Sequence, residues 1–168
     1  RKGMNYLSFF TKKIYFVVVL RTILMIRPMI SYHNEDIDFI FKHKRLNNKW
    51  LSMVAGSEMK KIGEIAVIFC SDHYIIDINR RYLGHDYFTD IITFDYTEGD
   101  KLSGDLFISI DTVRENAALY GADFATELNR VIVHGLLHLI GYDDHTPEQT
   151  AQMRAKEDYY LSIRENIQ

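Results

Sequence analysis

The sequence predicts an α+β fold, a small mixed β-sheet covered by helices. Three observations predict it. Strand-like and helix-like segments alternate through the first half of the chain. Near the middle, residues 91–96 and 104–110 both alternate apolar and polar side chains across a turn-like Thr97-Glu98-Gly99-Asp100, the pattern of an antiparallel hairpin. The last third is helical, led by a stretch over about 124–140 whose Leu128, Val131, Ile132 and Leu136 share one face.

Residues 1–28 stand apart. They hold six basic side chains (Arg1, Lys2, Lys12, Lys13, Arg21, Arg27) and no acid. Their apolar run, 14–20, is too short to span a bilayer, and no small-x-small cleavage site follows it. They are read as an N-terminal extension, disordered or upstream of a natural start at Met29. Residues 29–168 are read as a single domain.

From Met29 the pattern is regular. Residues 37–41 (Ile-Asp-Phe-Ile-Phe) read as a strand. Leu46, Trp50, Met53 and Val54 fall at helical spacing within 45–60, and Lys60, Lys61 and Gly63 read as the end of that helix. The β-rich run 64–70 predicts a central strand. Ser71-Asp72 then offers an N-cap for a helix carrying Tyr74, Ile75, Ile78 and Tyr82 and ending near Gly84. After the hairpin, Asp111-Thr112 reads as the cap of a helix to about Tyr120. Gly121-Ala122-Asp123 connects it to the long helix. Pro147 and Glu148 open a last helix to about Ile163.

Composition narrows the function classes. A chain of 168 residues suits one domain with a substantial core. The lone cysteine, Cys70, excludes an internal disulfide and a cysteine-based zinc site, and reads as a small core residue. The net charge of −3 is unevenly spread: beyond residue 28 there are 14 basic and 23 acidic side chains. An acidic domain is not what generic nucleic-acid binding predicts, so contact with RNA would need a local basic patch.

The chemistry is concentrated in residues 134–145, His-Gly-Leu-Leu-His-Leu-Ile-Gly-Tyr-Asp-Asp-His, which hold three of the seven histidines. His134 and His138 are four apart, so a helix stacks both rings on one face, where they can share a metal ion. Gly141 ends the helix, and the chain can turn back with a third ligand, Asp144 or His145. A pair of histidines at this spacing is also found on ordinary half-buried helix faces. Here the neighbours Leu136, Leu137, Leu139 and Ile140 are apolar, which makes two unpaired imidazoles costly, and a third candidate follows at short range.

This run resembles the signature of the YbeY family, the bacterial zinc-dependent endoribonucleases of ribosomal RNA maturation, His-Gly-x-x-His-Leu-x-Gly-Tyr-Asp-His. The family's third ligand is the sixth residue after the second histidine. That position is Asp144 here, with His145 one further on. Asp144 keeps the spacing with an oxygen ligand; a one-residue bulge would bring in His145. Residues 78–94 resemble a second family block, Leu-Asn-x-x-Tyr-Arg-x-x-Asp-x-x-Thr-Asp-Val-Leu-Ser-Phe, and Gly104-Asp105 resembles the start of a third. The family's arginine aligns with Leu83, so its role does not carry over; Arg80, Arg81 or His85 are the nearby cations. Thr89-Asp90 is expected to pin the start of the following strand by local hydrogen bonds.

The resemblance implies a helix-turn holding one zinc ion in a cleft beside the sheet. The implied metal ligands are His134, His138 and Asp144 or His145. His134, Arg130 and Asp86 are the candidates for catalysis. Arg130, one turn before His134, is placed to meet a phosphate or to pair with Glu127 or Asp123, and Glu127 is a candidate to brace a ligand. The implied activity is single-strand-specific RNA cleavage in late-stage 16S rRNA 3′-end maturation and ribosome biogenesis. The implied partners are ribosomal RNA, the small subunit and its assembly factors, in the cytoplasm, with no membrane and no small-molecule ligand. Two other readings differ in class. A metallopeptidase would need a base from elsewhere, because the glutamate that follows the first histidine of zinc-protease helices is Gly135 here. A non-catalytic zinc module of ribosome assembly would need a closed metal site.

Overall fold

The computed structural model describes residues 29–84 and 87–167. The expectations for residues 1–28 and for His85 and Asp86 fall outside those residues, as does the side chain of Leu83. Four strands, β1 (Met29–Asn34), β2 (Lys61–Cys70), β3 (Ile91–Asp95) and β4 (Lys101–Ser109), form one sheet in the order β1-β2-β4-β3. β1 and β4 flank β2 in parallel, and β3 closes the edge antiparallel to β4. Five helices complete the fold: α1 (Lys44–Ser57), α2 (Asp72–Ile78, prolonged by a wide turn over Asn79–Leu83), α3 (Ile110–Tyr120), α4 (Phe124–Ile140) and α5 (Pro147–Glu165). This is the mixed α+β arrangement that the pattern of elements predicts.

The two faces of the sheet are covered unequally. Val67, Phe69, Leu106 and Ile108 share the main core with Trp50 and Val54 of α1, Leu128, Ile132 and Leu136 of α4, and Met153 and Tyr160 of α5. On the other face a smaller cluster of Cys70, Ile75, Ile78 and Ile92 lies under α2. Cys70 is thus a core residue, as its sequence context suggests.

Capping follows the sequence closely. Ser71 Oγ accepts from Tyr74 N at the start of α2. Asp123 accepts from Ala125 N and Thr126 N at the start of α4. Thr146 and Gln149 form a reciprocal capping box behind Pro147. Gly141 ends α4 at φ 112°, in the region that glycine tolerates best.

Three expectations need correction. Residues 37–41 are not a strand; β1 is Met29–Asn34, which runs beside Glu64–Phe69. Ile37, Phe39 and Phe41 do turn to one side, but as a loop packed on aromatic rings. Phe39 meets Phe69 edge-on at 5.0 Å, and Phe41 sits 4.7 Å from Tyr32, with no ladder partner required. α1 stops at Ser57, where Met59 takes a left-handed φ of 56°, so Lys61 and Gly63 already belong to β2. The cap of α3 is Ser109, which accepts from Thr112 N, and not Asp111.

α4 runs unusually close to the sheet, and two glycines allow it. A Cβ at Gly104 would lie 2.5 Å from the Phe94 carbonyl oxygen and 2.8 Å from Leu139. A Cβ at Gly135 would lie 2.6 Å from Ile91 Cδ1. The position that bears the base in zinc proteases is therefore a packing contact here.

The turn after α4 is tied to both neighbouring helices through Glu58. Its carboxylate accepts from Lys156 Nζ at 2.6 Å, from the Tyr142 hydroxyl at 2.9 Å and from the Tyr160 hydroxyl. Burial alone would raise the Glu58 pKa, but these donors and the Lys156 charge outweigh it, and the carboxyl is held below the ordinary glutamate value. The resulting stability is complete above the unfolded pKa and is lost as pH falls through the lowered folded value. Glu58→Gln is expected to cost about 1–3 kcal/mol at neutral pH and much less in acid. Urea unfolding over a pH series checks this; parallel curves for the two proteins would contradict it.

Candidate metal centre

α4 presents His134 and His138 one turn apart on the face turned toward α5 and the following loop. Their rings meet edge-on, with Nε2 atoms 2.9 Å apart. Asp144, returned by the turn at Gly141, places Oδ2 3.7 Å from His134 Nε2 and 3.9 Å from His138 Nε2. His145 does not join them. Its ring is 80% exposed and pairs with Asp143 at 3.4 Å. Of the two residues that the sequence offers for the third place, the fold gathers Asp144 with the histidines.

Each imidazole is held through its other nitrogen. His134 Nδ1 lies 2.7 Å from Glu157 Oε1 on α5, and a carboxylate can only accept, so the proton is on Nδ1. His138 Nδ1 donates to the Tyr142 carbonyl at 3.0 Å. Tyr142 therefore fastens the turn twice, by its carbonyl to His138 and by its hydroxyl to Glu58. With both Nδ1 atoms protonated, two Nε2 lone pairs face each other across 2.9 Å, a repulsive arrangement unless a cation or a proton lies between them.

The donor set fits zinc. A tetrahedral ion with bonds of about 2.0–2.1 Å has ligand atoms about 3.3 Å apart, and the three observed separations bracket that value. Two imidazoles and one carboxylate are a known zinc ligand type that keeps a fourth position for water or substrate.

Carboxylates surround the base of the site. Arg130 Nη1 donates to Asp158 at 2.7 Å and to Glu157 at 3.2 Å, and Nε stands 3.7 Å from Glu127. Of the two pairings considered from sequence, the one with Glu127 is present; Asp123 caps the helix instead. Burial raises the pKa of Asp90 despite the nearby His134. Burial also raises Glu127, against the pull of Arg130. For His134, burial works to lower the pKa, but Glu157, Asp90 and Asp144 together outweigh it and raise it. His138 is lowered by burial and then by the charge on His134. The two rings thus differ in proton affinity.

Thr89 Oγ1 donates to the Ile91 carbonyl, so Thr89 pins the start of β3 by a local side-chain bond; Asp90 does not, since its carbonyl accepts from Ser109 N of β4 and its carboxylate from Asn116 Nδ2 of α3. Arg80 is exposed beside Asp77, 3.9 Å away. Glu157 was not legible in advance. It lies 23 residues beyond His134 in another helix, and its only sequence signal is one glutamate among several in an amphipathic segment.

A mixed sheet covered by helices, with a histidine pair and a returning carboxylate gathered on its most buried helix, is an α+β scaffold whose donor set could hold a metal ion. The comparisons are specific about which. Residues 29–164 match the family model described as Endoribonuclease YbeY. A protein of Bacteroides thetaiotaomicron named Endoribonuclease YbeY is 50% identical over 135 residues, 80% of this chain and 98% of its own length. One of the same name from Parabacteroides distasonis is 51% identical over 134 residues, 80% of this chain and 94% of its own. The solution structure of TM1509 from Thermotoga maritima superposes with a TM-score of 0.57 at 30% identity, covering 81% of this chain and 89% of that one. The chain belongs to the YbeY endoribonuclease family. Among the described residues, no helix is long and apolar enough to cross a membrane.

Proposed function

We propose that this chain is a zinc-dependent, single-strand-specific endoribonuclease acting in late-stage 16S rRNA 3′-end maturation, with ribosomal RNA and the small subunit as its partners in the cytoplasm. The observation that carries the reading is the convergence of His134 Nε2, His138 Nε2 and Asp144 Oδ2, with both Nδ1 atoms already engaged. When bound there, a zinc ion would polarise the phosphodiester and ease deprotonation of the attacking water.

The protein's own groups do the rest. His134 and His138 offer their Nε2 lone pairs in a fixed direction, because Glu157 and the Tyr142 carbonyl hold the opposite sides of the rings. Asp144 completes the set from a turn clamped by Tyr142. Phe88, 62% exposed just ahead of β3, offers an aromatic face on which an unpaired base can stack. Gly135 has no side chain to serve as the base of a peptidase, and a larger residue would strike Ile91. That favours RNA over peptide as substrate.

The test uses purified protein, a single-stranded RNA carrying the unprocessed 3′ region of 16S rRNA, the same sequence as a duplex, and casein. The zinc-loaded protein is expected to cut the single strand, to spare the duplex and casein, and to lose activity on chelation and regain it with zinc. Equal cleavage before and after chelation would refute the reading.

A further inference from the structure

We infer that Glu157 is the positioning residue of this metal site, and that Arg130 acts through Glu157 rather than on the RNA phosphate. The inference rests on the reading of His134 as a zinc ligand.

The geometry supports both parts. Glu157 is 7% exposed along its side chain, and its two oxygens are divided between two partners. Oε1 takes the His134 Nδ1 proton at 2.7 Å, and Oε2 takes Arg130 Nη1 at 3.2 Å. A buried carboxylate with a hydrogen-bond donor on each oxygen, the Arg130 guanidinium on one and the His134 imidazole on the other, has little freedom to rotate, so the imidazole it holds has little either. Two of the three guanidinium nitrogens of Arg130 face carboxylates. Nη1 is shared by Asp158 and Glu157, and Nε faces Glu127. Three carboxylates around one guanidinium leave it compensated, and a phosphate approaching it would meet their negative charge first. The chain Arg130–Glu157–His134 therefore runs from α4 to α5 and back, with its open end at Nε2.

A carboxylate hydrogen-bonded to a metal-ligating imidazole fixes the tautomer and raises the ring's basicity, and its removal costs about 10–100-fold in metal affinity. Glu157→Ala is expected to weaken zinc binding by about that factor in competition with a chromophoric chelator. It is also expected to shift the His134 ¹⁵N resonances away from the Nδ1-protonated tautomer. Glu157→Gln keeps an acceptor for Nδ1 and should retain the tautomer with a smaller loss of affinity, which separates positioning from a general loss of fold.

Arg130→Met should weaken zinc binding in the same direction. Combined with Glu157→Ala it should add little, because the two act in one chain. Its effect on RNA binding should leave the salt dependence unchanged.

Two results would overturn the inference. One is a Glu157→Ala protein with zinc affinity within twofold of wild type and an unchanged His134 tautomer. The other is an Arg130→Met protein that binds zinc normally but loses about one unit of the salt slope for RNA, the mark of a direct phosphate contact. Failure of the wild-type protein to take up zinc at all would instead strike the reading beneath it.

Discussion

Replacing His138 with alanine is expected to cut zinc affinity by two to three orders of magnitude and RNA cleavage at least as much, while the metal-free protein still folds. A structural zinc site with four protein ligands is worth about 10–16 kcal/mol, or about 2.5–4 kcal/mol per ligand, and a loss of that size for one ligand is about two to three orders of magnitude. The fold should survive because His138 is only half buried and makes one hydrogen bond to protein backbone, at the surface end of α4. Asp144→Ala should approach the same loss, since its carboxylate is the one gathered with the histidines. His145→Ala should leave affinity and activity near wild type, because its ring lies 80% exposed against Asp143. Measured together, the three variants decide the third ligand. A strong loss in His145→Ala with none in Asp144→Ala would mean that the loop rearranges when metal binds, and that the assignment of Asp144 is wrong.

The parts of this site that a reader of the sequence can find are those whose partners are close in the chain. His134 and His138 are one turn apart, Gly141 ends the turn beneath them, and Asp144 follows within reach. Helix periodicity and a single left-handed glycine are enough to bring all three together. The same holds for Ser71, Asp123 and Thr146, whose capping bonds span two or three residues. Long-range partners follow a different rule. Glu157 meets His134 only because α5 packs back along α4, and nothing in the local pattern of α5 singles it out from Glu148 or Glu165. Residues 37–41 are misleading for a related reason. Ile37, Phe39 and Phe41 satisfy a demand for burial on one side, which a loop lying over Phe69 meets as well as a strand does. The missing information was the position of β1, whose six residues begin at Met29. The shortness of α1 was concealed by Met59, a non-glycine residue in a left-handed conformation that no turn signal announces.

Trp50→Ala is expected to give the largest loss of stability, about 3–5 kcal/mol, and to loosen the metal site from a distance. The indole is fully buried in the main core, and its Nε1 donates to the Tyr160 carbonyl at 2.8 Å. The Arg164 guanidinium covers the ring 5.4 Å from its centroid. Truncation of a buried tryptophan removes that apolar area and leaves a cavity that the sheet on one side and α5 on the other cannot readily close. Small domains have about 5–15 kcal/mol of stability in all, so the variant would sit near the edge of folding. Trp50→Phe keeps most of the volume and loses the hydrogen bond, and should cost roughly 0.5–1.5 kcal/mol beyond the lost area. The functional consequence follows from what that bond holds. Tyr160 is one turn beyond Glu157 on α5, so the indole fixes the helix that carries the carboxylate behind His134. In the phenylalanine variant, zinc affinity should therefore fall by a few-fold even where the protein is fully folded. Chelator competition well below the melting temperature measures this. A Trp50→Phe protein that is destabilised but binds zinc as wild type does would show that the register of α5 is held by the rest of the core, and that the indole serves stability alone.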